Sequence, residues 1–161
     1  MNYKLVKELM TSPAIVIEES CSIKEAIQTM KQNNIGFLPV TKRNVIVGVV
    51  TDRDILLRAI IPFSLEEQVN KVMSSNEIHF VEPSTPLKDA AKIMAENKIR
   101  RLVVLNDGKV IGVLTTKNML KEPSLLPYIT STYINNKTLN EYNIYTNSNP
   151  HDSLKTSDFP L

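Results

Sequence analysis

One cysteine, two histidines, four glycines and no tryptophan in 161 residues leave few of the groups on which enzymes are built. Cys21 has no second cysteine to pair with, so an intramolecular disulfide and CxxC-type metal clusters are excluded, and the expectation is a reducing compartment. His79 lies between Ile78 and Phe80 in a strand-like run, where a lone histidine reads as a packed or edge residue, and His151 sits near the end of the chain. There is no HExxH, nucleophile elbow or Walker-type loop, and nothing pairs Cys21 with a base. No catalytic set, metal site or obligate cofactor is indicated.

Charge of one sign is missing too: 19 basic residues against 17 acidic give a net +2, which offers poor support for nucleic-acid or membrane-surface binding. No apolar run approaches the roughly 20 residues of a membrane helix, and the opening Met1-Asn2-Tyr3-Lys4 lacks the build of a secretory leader. The expectation is a soluble, cytoplasmic chain. With 42% apolar residues it can bury one substantial core.

What the chain does have is a pattern stated twice, 63 to 64 residues apart. From Ile23 to Leu56 and again from Leu87 to Leu120, Ala26/Ala90, Met30/Met94, Asn33/Asn97, Ile35/Ile99, Leu38/Leu102, Val40/Val104, Gly48/Gly112 and Thr51/Thr115 stay in register. Such self-similarity marks units that bury their apolar faces against each other, and the clefts between copies become candidate binding sites.

Within each copy the elements follow from local chemistry. Ser22-Ile23-Lys24-Glu25 is a capping box, with Ile23, Ala26, Ile27 and Met30 forming a helical stripe behind it; Thr85-Pro86 and Leu87, Ala90, Ala91 and Met94 repeat the helix, with Thr85 as the expected cap. Phe37 to Val40 and Val45 to Val50 read as a hairpin, as do Arg101 to Leu105 and Val110 to Leu114 around Asn106-Asp107-Gly108. Consecutive apolar residues at Val45-Ile46-Val47 and Val110-Ile111 predict strands covered on both faces. A short helical segment ending at Met10 or Met73 and a strand near Ile15 or Ile78 complete a unit of helix, strand, helix, strand, strand, helix. Residues 1–61 form the first repeat, 62–68 a connector containing the box Ser64-Leu65-Glu66-Glu67, 69–121 the second repeat, and 122–161 an Asn-, Ser- and Thr-rich arm of unknown role that reads as mostly extended, with apolar residues available for docking.

The chemistry gathers at two strand-to-helix corners, Gly48-Val49-Val50-Thr51-Asp52-Arg53-Asp54 and Gly112-Val113-Leu114-Thr115-Thr116-Lys117-Asn118. Glycine admits a backbone or ligand close to the strand end, threonine sets a hydroxyl among the N–H groups of a helix start, and Arg53 and Lys117 supply positive charge for an anion. The Asp54 carboxylate can accept from two vicinal hydroxyls, as a ribose presents, whereas Asn118 accepts at only one atom. The same residues also make ordinary N-caps and dipole partners, and it is their recurrence at matched positions that favours a binding site. Arg100-Arg101 is a solvated strand edge or a clamp on ligand phosphates, and alternation would turn one of the two inward.

Together with Val6-Lys7-Glu8-Leu9-Met10 and Val69-Asn70-Lys71-Val72-Met73 at the openings, and Ile35-Gly36-Phe37-Leu38-Pro39-Val40 and Ile99-Arg100-Arg101-Leu102-Val103-Val104 between, these corners make the chain resemble the tandem CBS-domain family, the paired modules called Bateman domains, over about residues 5 to 121. The resemblance implies an α/β (α+β) fold of two βαββα repeats paired through their sheets about a pseudo-two-fold, with dimerisation of whole modules. It further implies clefts for adenosine-containing ligands such as AMP, ADP, ATP or S-adenosylmethionine. By this resemblance Thr51 and Asp54 hold ribose and phosphate in one cleft and Thr115 and Asn118 in the other, while Ile15, Ile78, Leu38, Pro39, Leu102 and Val103 line the base. Val103 in place of the proline seen at Pro39, and Asn118 in place of aspartate, depart from the family pattern. The function expected is a non-catalytic regulatory module that senses an adenosyl ligand and signals to a partner protein. The alternatives are a ligand-independent dimerisation adaptor and a cyclic dinucleotide receptor.

Overall fold

The computed structural model describes residues 4–59, 64–76 and 78–133. In chain order the elements are α1 (Val6–Leu9), β1 (Ile17–Glu18), α2 (Ile23–Asn33), β2 (Phe37–Lys42), β3 (Val45–Thr51) and α3 (Asp52–Asp54), which widens into a π-helical turn over Ile55–Ala59. A 3-10 turn at Val69–Lys71 opens the second half, followed by β4 (Phe80–Val81), α4 (Leu87–Asn97), β5 (Arg101–Asn106), β6 (Lys109–Thr115) and α5 (Thr116–Met119). A 3-10 turn at Pro123–Leu125 then leads into α6 (Leu126–Ser131).

Each repeat carries one three-stranded sheet, ordered β1-β2-β3 or β4-β5-β6, whose first pair is parallel and second antiparallel. The α/β expectation holds, with adjustments at the edges. The first strands begin two residues later than Ile15 and Ile78. Both hairpins turn through two residues of positive φ, Arg43-Asn44 and Asp107-Gly108, the twist that suits a two-residue loop between right-twisted strands. A bulge leaves Val47 unpaired opposite the Val40/Thr41 step and Ile111 unpaired opposite Val104/Leu105. The bulge resets the face on which later side chains fall, so Val45 is exposed and the consecutive apolar run does not mean full coverage of the strand.

Ser22 and Glu25 form the capping box at α2, the serine hydroxyl accepting from the Glu25 N–H and the carboxylate from the Ser22 N–H. Its counterpart is different. Pro86 is the N-cap of α4 without a side-chain bond, because the Thr85 hydroxyl turns back to accept from the Glu82 N–H. Ser64-Leu65-Glu66-Glu67 likewise forms a turn and not a helix start, with the Glu67 N–H donating to the Ser64 carbonyl.

The two halves complete each other's cores. Val6 is buried among Leu87, Met94, Leu102 and Leu114 of the second repeat, while Val69 and Val72 are buried among Ile23, Leu38 and Val50 of the first. Backbone bonds follow the same exchange: Thr11 pairs with Val113, and Ser74 with Val49. Gly48 and Gly112 are where these crossings pass. A Cβ on Gly48 would come to 2.6 Å from the Met73 Sδ and 3.1 Å from the Ser74 carbonyl oxygen, and one on Gly112 to 2.8 Å from the Met10 Sδ and 3.0 Å from the Thr11 carbonyl oxygen. The close approach is therefore by the opposite repeat's opening segment, its methionine side chain and its backbone together.

The arm is not extended throughout. Leu125 and Ile129 are buried in the second core, seating α6 against α4. Residues 134–161 lie outside the described residues.

Candidate functional site

Two cavities of about 310 Å³ each open at the junction of the repeats, related by the pseudo-two-fold. Each takes a strand-to-helix corner from one repeat and the helix-to-strand loop from the other. The first cleft is formed by Thr51, Asp52, Arg53 and Asp54 with Lys98, Ile99, Val103 and His79. The second is formed by Thr115, Thr116 and Lys117 with Asn34, Ile35, Gly36 and the segment Thr11 to Ile15. Phe37, Arg100 and Arg101 line both.

The corners fold as reciprocal caps. The Thr51 hydroxyl accepts from the Asp54 N–H at 3.0 Å, while Asp54 Oδ2 accepts from the Thr51 N–H at 2.9 Å and the hydroxyl at 2.7 Å. Thr115 and Asn118 reproduce this at 3.1, 2.9 and 2.7 Å. A cap and a ligand site are compatible at Asp54, because among the described residues Oδ1 is engaged by Arg58 alone, at 3.4 Å, and keeps acceptor capacity. At Asn118 the free end is the amide nitrogen, which donates to the Thr11 hydroxyl at 3.4 Å.

The anion chemistry of the corners also differs. In the first, Asp52 Oδ1 accepts from the Arg53 N–H at 2.8 Å, so the helix start is occupied by its own carboxylate. In the second, Thr116 replaces Asp52, and its hydroxyl pairs with Tyr133 instead. Among the described residues, the second cleft is lined by Arg100, Arg101 and Lys117 with no carboxylate, whereas the first adds Asp52 and Asp54 to its cations. Burial, and next the neighbouring Arg100, pull the Arg101 guanidinium below its ordinary pKa, with Asp52 and Tyr133 opposing. Two like charges held together in a half-buried place favour an anionic ligand.

Of the residues singled out in the sequence, Thr51, Arg53, Asp54 and Val103 line the first cleft, Ile15, Thr115 and Lys117 the second, and Arg100 and Arg101 both. Arg100 precedes β5 and so escapes its alternation, which is why both arginines, and not one, reach the cavities. Asn118 stands beside the second cleft without lining it, and Ile78 is outside the first. Leu38 and Leu102 line neither cavity because their strand positions face the cores, and Pro39, buried on the opposite face of β2, lines neither as well. Sequence reasoning missed Phe37, Lys98, Asn34 and Tyr133. Lys98 was findable as the counterpart of Asn34, both being left-handed helix ends; Tyr133 lay beyond the repeat and carried no signal.

The Val103 departure also acquires a consequence: its N–H donates to the His79 carbonyl, which the proline at Pro39 cannot do, tying His79 to the rim of the first cleft.

The sequence matches the CBS domain family over residues 6–60 and again over 69–124. The chain belongs to the CBS domain family. A relative in Bacillus subtilis, the CBS domain-containing protein YhcV, is 36% identical over 110 residues, covering 68% of this chain and 78% of its own. Among solved structures, the CBS domain protein PAE2072 from Pyrobaculum aerophilum, complexed with AMP, superposes with a TM-score of 0.70 at 26% identity over 80% of this chain and 99% of that one. The CBS domain pair of protein MJ0100, in complex with 5′-methylthioadenosine and S-adenosyl-L-methionine, superposes at 0.65 over 74% of this chain and 95% of that one; at 23% identity it speaks to the fold alone. Among the described residues of this CBS pair no helix is long and apolar enough to cross a membrane, and no group of three or more His, Cys, Asp or Glu is placed to hold a metal.

Proposed function

We propose that this CBS pair is a non-catalytic regulatory module that binds an adenine nucleotide or other adenosyl compound in its two clefts and passes occupancy to a partner protein. The observation that carries the reading is the pair of open cavities at the symmetry-related corners, each combining a threonine hydroxyl with Arg100 and Arg101 and a partly apolar wall. The relative from Pyrobaculum aerophilum, complexed with AMP, supports the ligand class. Homodimerisation belongs to the same reading: Leu56 and its counterpart Leu120 are 62% and 55% exposed at equivalent places on the outer helices, where a second module would cover them.

The two corners bind unequally. Asp54 keeps a free carboxylate oxygen for a vicinal diol, while the second cleft, with three cations and no carboxylate in its lining, suits a longer phosphate chain.

A thermal-shift panel of AMP, ADP, ATP and S-adenosylmethionine tests the reading. A ligand at about 100 times its dissociation constant adds about 2.7 kcal/mol to stability. No shift with any of the four turns the assignment toward the ligand-independent adaptor, and a shift with a cyclic dinucleotide alone would assign the clefts to that class.

A further inference from the structure

The C-terminal arm enters the second cleft. After α6 docks through Leu125 and Ile129, Tyr133 reaches the cavity wall. Its hydroxyl is 2.9 Å from the buried Thr116 Oγ1, and its ring lies 5.4 Å from the Arg100 Cζ. Thr116 and Arg100 are themselves joined, the Thr116 N–H donating to the Arg100 carbonyl at 3.0 Å. Tyr133 thus holds both partners of the bond that unites the corner with the cationic loop. The first repeat has Asp52 and Gly36 at the equivalent sequence positions, a pair that cannot hold a tyrosine in this way, and among the described residues no arm residue lines the first cavity.

The cavity is open with Tyr133 in place, so the ring borders the space without filling it. A guanidinium stacked under an aromatic face still offers its edge N–H groups to an anion. Stacking also removes rotamer freedom that a ligand phosphate would otherwise have to freeze.

Resting on the sensor reading above, we infer that Tyr133 is a positioning residue for the second cleft, so that docking of the arm and binding of a phosphate-bearing ligand there strengthen each other, while the first cleft, which shares Arg100 but not Thr116, feels the arm less. Linkage is reciprocal: the ligand steadies α6, and loss of Tyr133 weakens the ligand. Occupancy of a cleft between the repeats would then be readable at the chain's C-terminal side.

The test uses the full chain with ATP as probe, by calorimetric titration and by hydrogen exchange of the amides of α6. Tyr133→Ala is expected to weaken the ATP site lost in Lys117→Ala by about 3- to 10-fold and to weaken the other site, which shares Arg100 but not Thr116, by less. Tyr133→Phe, which keeps the ring over Arg100, falls between. In the wild type, ATP is expected to slow exchange across Leu126–Ser131, and in Tyr133→Ala this slowing is expected to be reduced. Because the tyrosine is half-exposed, the variant is expected to fold, and the wild-type exchange measurement stands even if it does not. ATP binding with unchanged or raised affinity in Tyr133→Ala, or with unchanged or faster exchange of α6, overturns the coupling and leaves the sensor reading standing. Absence of any binding by AMP, ADP, ATP and S-adenosylmethionine to the wild type removes both.

Discussion

The Arg101 guanidinium lies 5.7 Å from the centroid of the Phe37 ring, and these two residues hold the same position in the two repeats, each opening the central strand of its sheet. The pair sits where the repeats meet, and both side chains line both clefts. A cation shared by two sites has a distinctive genetic signature. Arg101→Ala is expected to weaken nucleotide binding at both sites, by about 1.5 to 3 kcal/mol each if its bonds to phosphate are charge-assisted. Lys117→Ala should affect only one site and Arg53→Ala only the other. Two-site calorimetric titration with ATP reads all three variants, and an Arg101→Ala protein that lost only one site would contradict the shared position.

Gly48 and Gly112 make a second expectation about stability rather than binding. A methyl at either meets a methionine sulfur and a carbonyl oxygen of the crossing segment from the opposite half. The sulfur can swing away, but the oxygen belongs to a strand-like bridge and yields little. Gly48→Ala and Gly112→Ala are each expected to cost about 1 to 3 kcal/mol of unfolding free energy, measured as a lowered urea midpoint. Gly108→Ala meets nothing within 4 Å, and its cost would come only from the positive φ of that turn.

The repeat, both hairpins, the α2 capping box and the corner motifs were legible because each depends on residues near in sequence or on register between copies. Three features were not. The exchange of opening segments, which puts Val6 in the second core and Val69 in the first, depends on packing between halves that look alike in the sequence. The bulges at Val47 and Ile111 sit beside Gly48 and Gly112, glycines that read in the sequence as room for a close approach and not as a break in strand alternation. The docking of α6 rests on just two buried residues, Leu125 and Ile129, in a segment whose composition suggests an arm. At the clefts, residue types were readable at Thr51 and Asp54 but side-chain direction was not, so Leu38 and Leu102, in strands, were assigned to walls they do not reach.

Asp54→Asn isolates what a carboxylate adds to the first corner. The amide oxygen can keep accepting from the Thr51 N–H and hydroxyl, as Asn118 does from Thr115, so the cap persists. What is lost is the second acceptor oxygen. Adenosine-ligand affinity in the first cleft is expected to fall by about 1 to 2 kcal/mol with the thermal midpoint of the free protein little changed. Asn118→Asp should leave the second cleft's affinity for adenosine level or improved, and should weaken its hold on a triphosphate through the added negative charge. Equal affinities across wild type, Asp54→Asn and Asn118→Asp would remove the asymmetry between the corners.

Acid should loosen the start of α2. The Glu25 carboxylate accepts from the Ser22 N–H at 2.7 Å and the Ser22 hydroxyl at 2.9 Å, and the backbone bond foremost, then the side-chain bond, holds its pKa below the ordinary 4.5. A carboxyl whose folded pKa is depressed contributes stability that is fully present above its unfolded value and is lost as pH falls through its folded one. Because α4 opens on Pro86 without a side-chain cap, the equivalent place in the second repeat carries no such dependence. Glu25→Gln, which keeps an acceptor but not the charge, is therefore expected to lower the urea midpoint at about pH 6, with the difference from wild type shrinking as the pH is taken below 4.5. Hydrogen exchange at the first turn of α2 should show the same convergence locally. A gap between the two proteins that stayed constant across that range would mean that the bonds to Ser22 owe nothing to the carboxylate's charge.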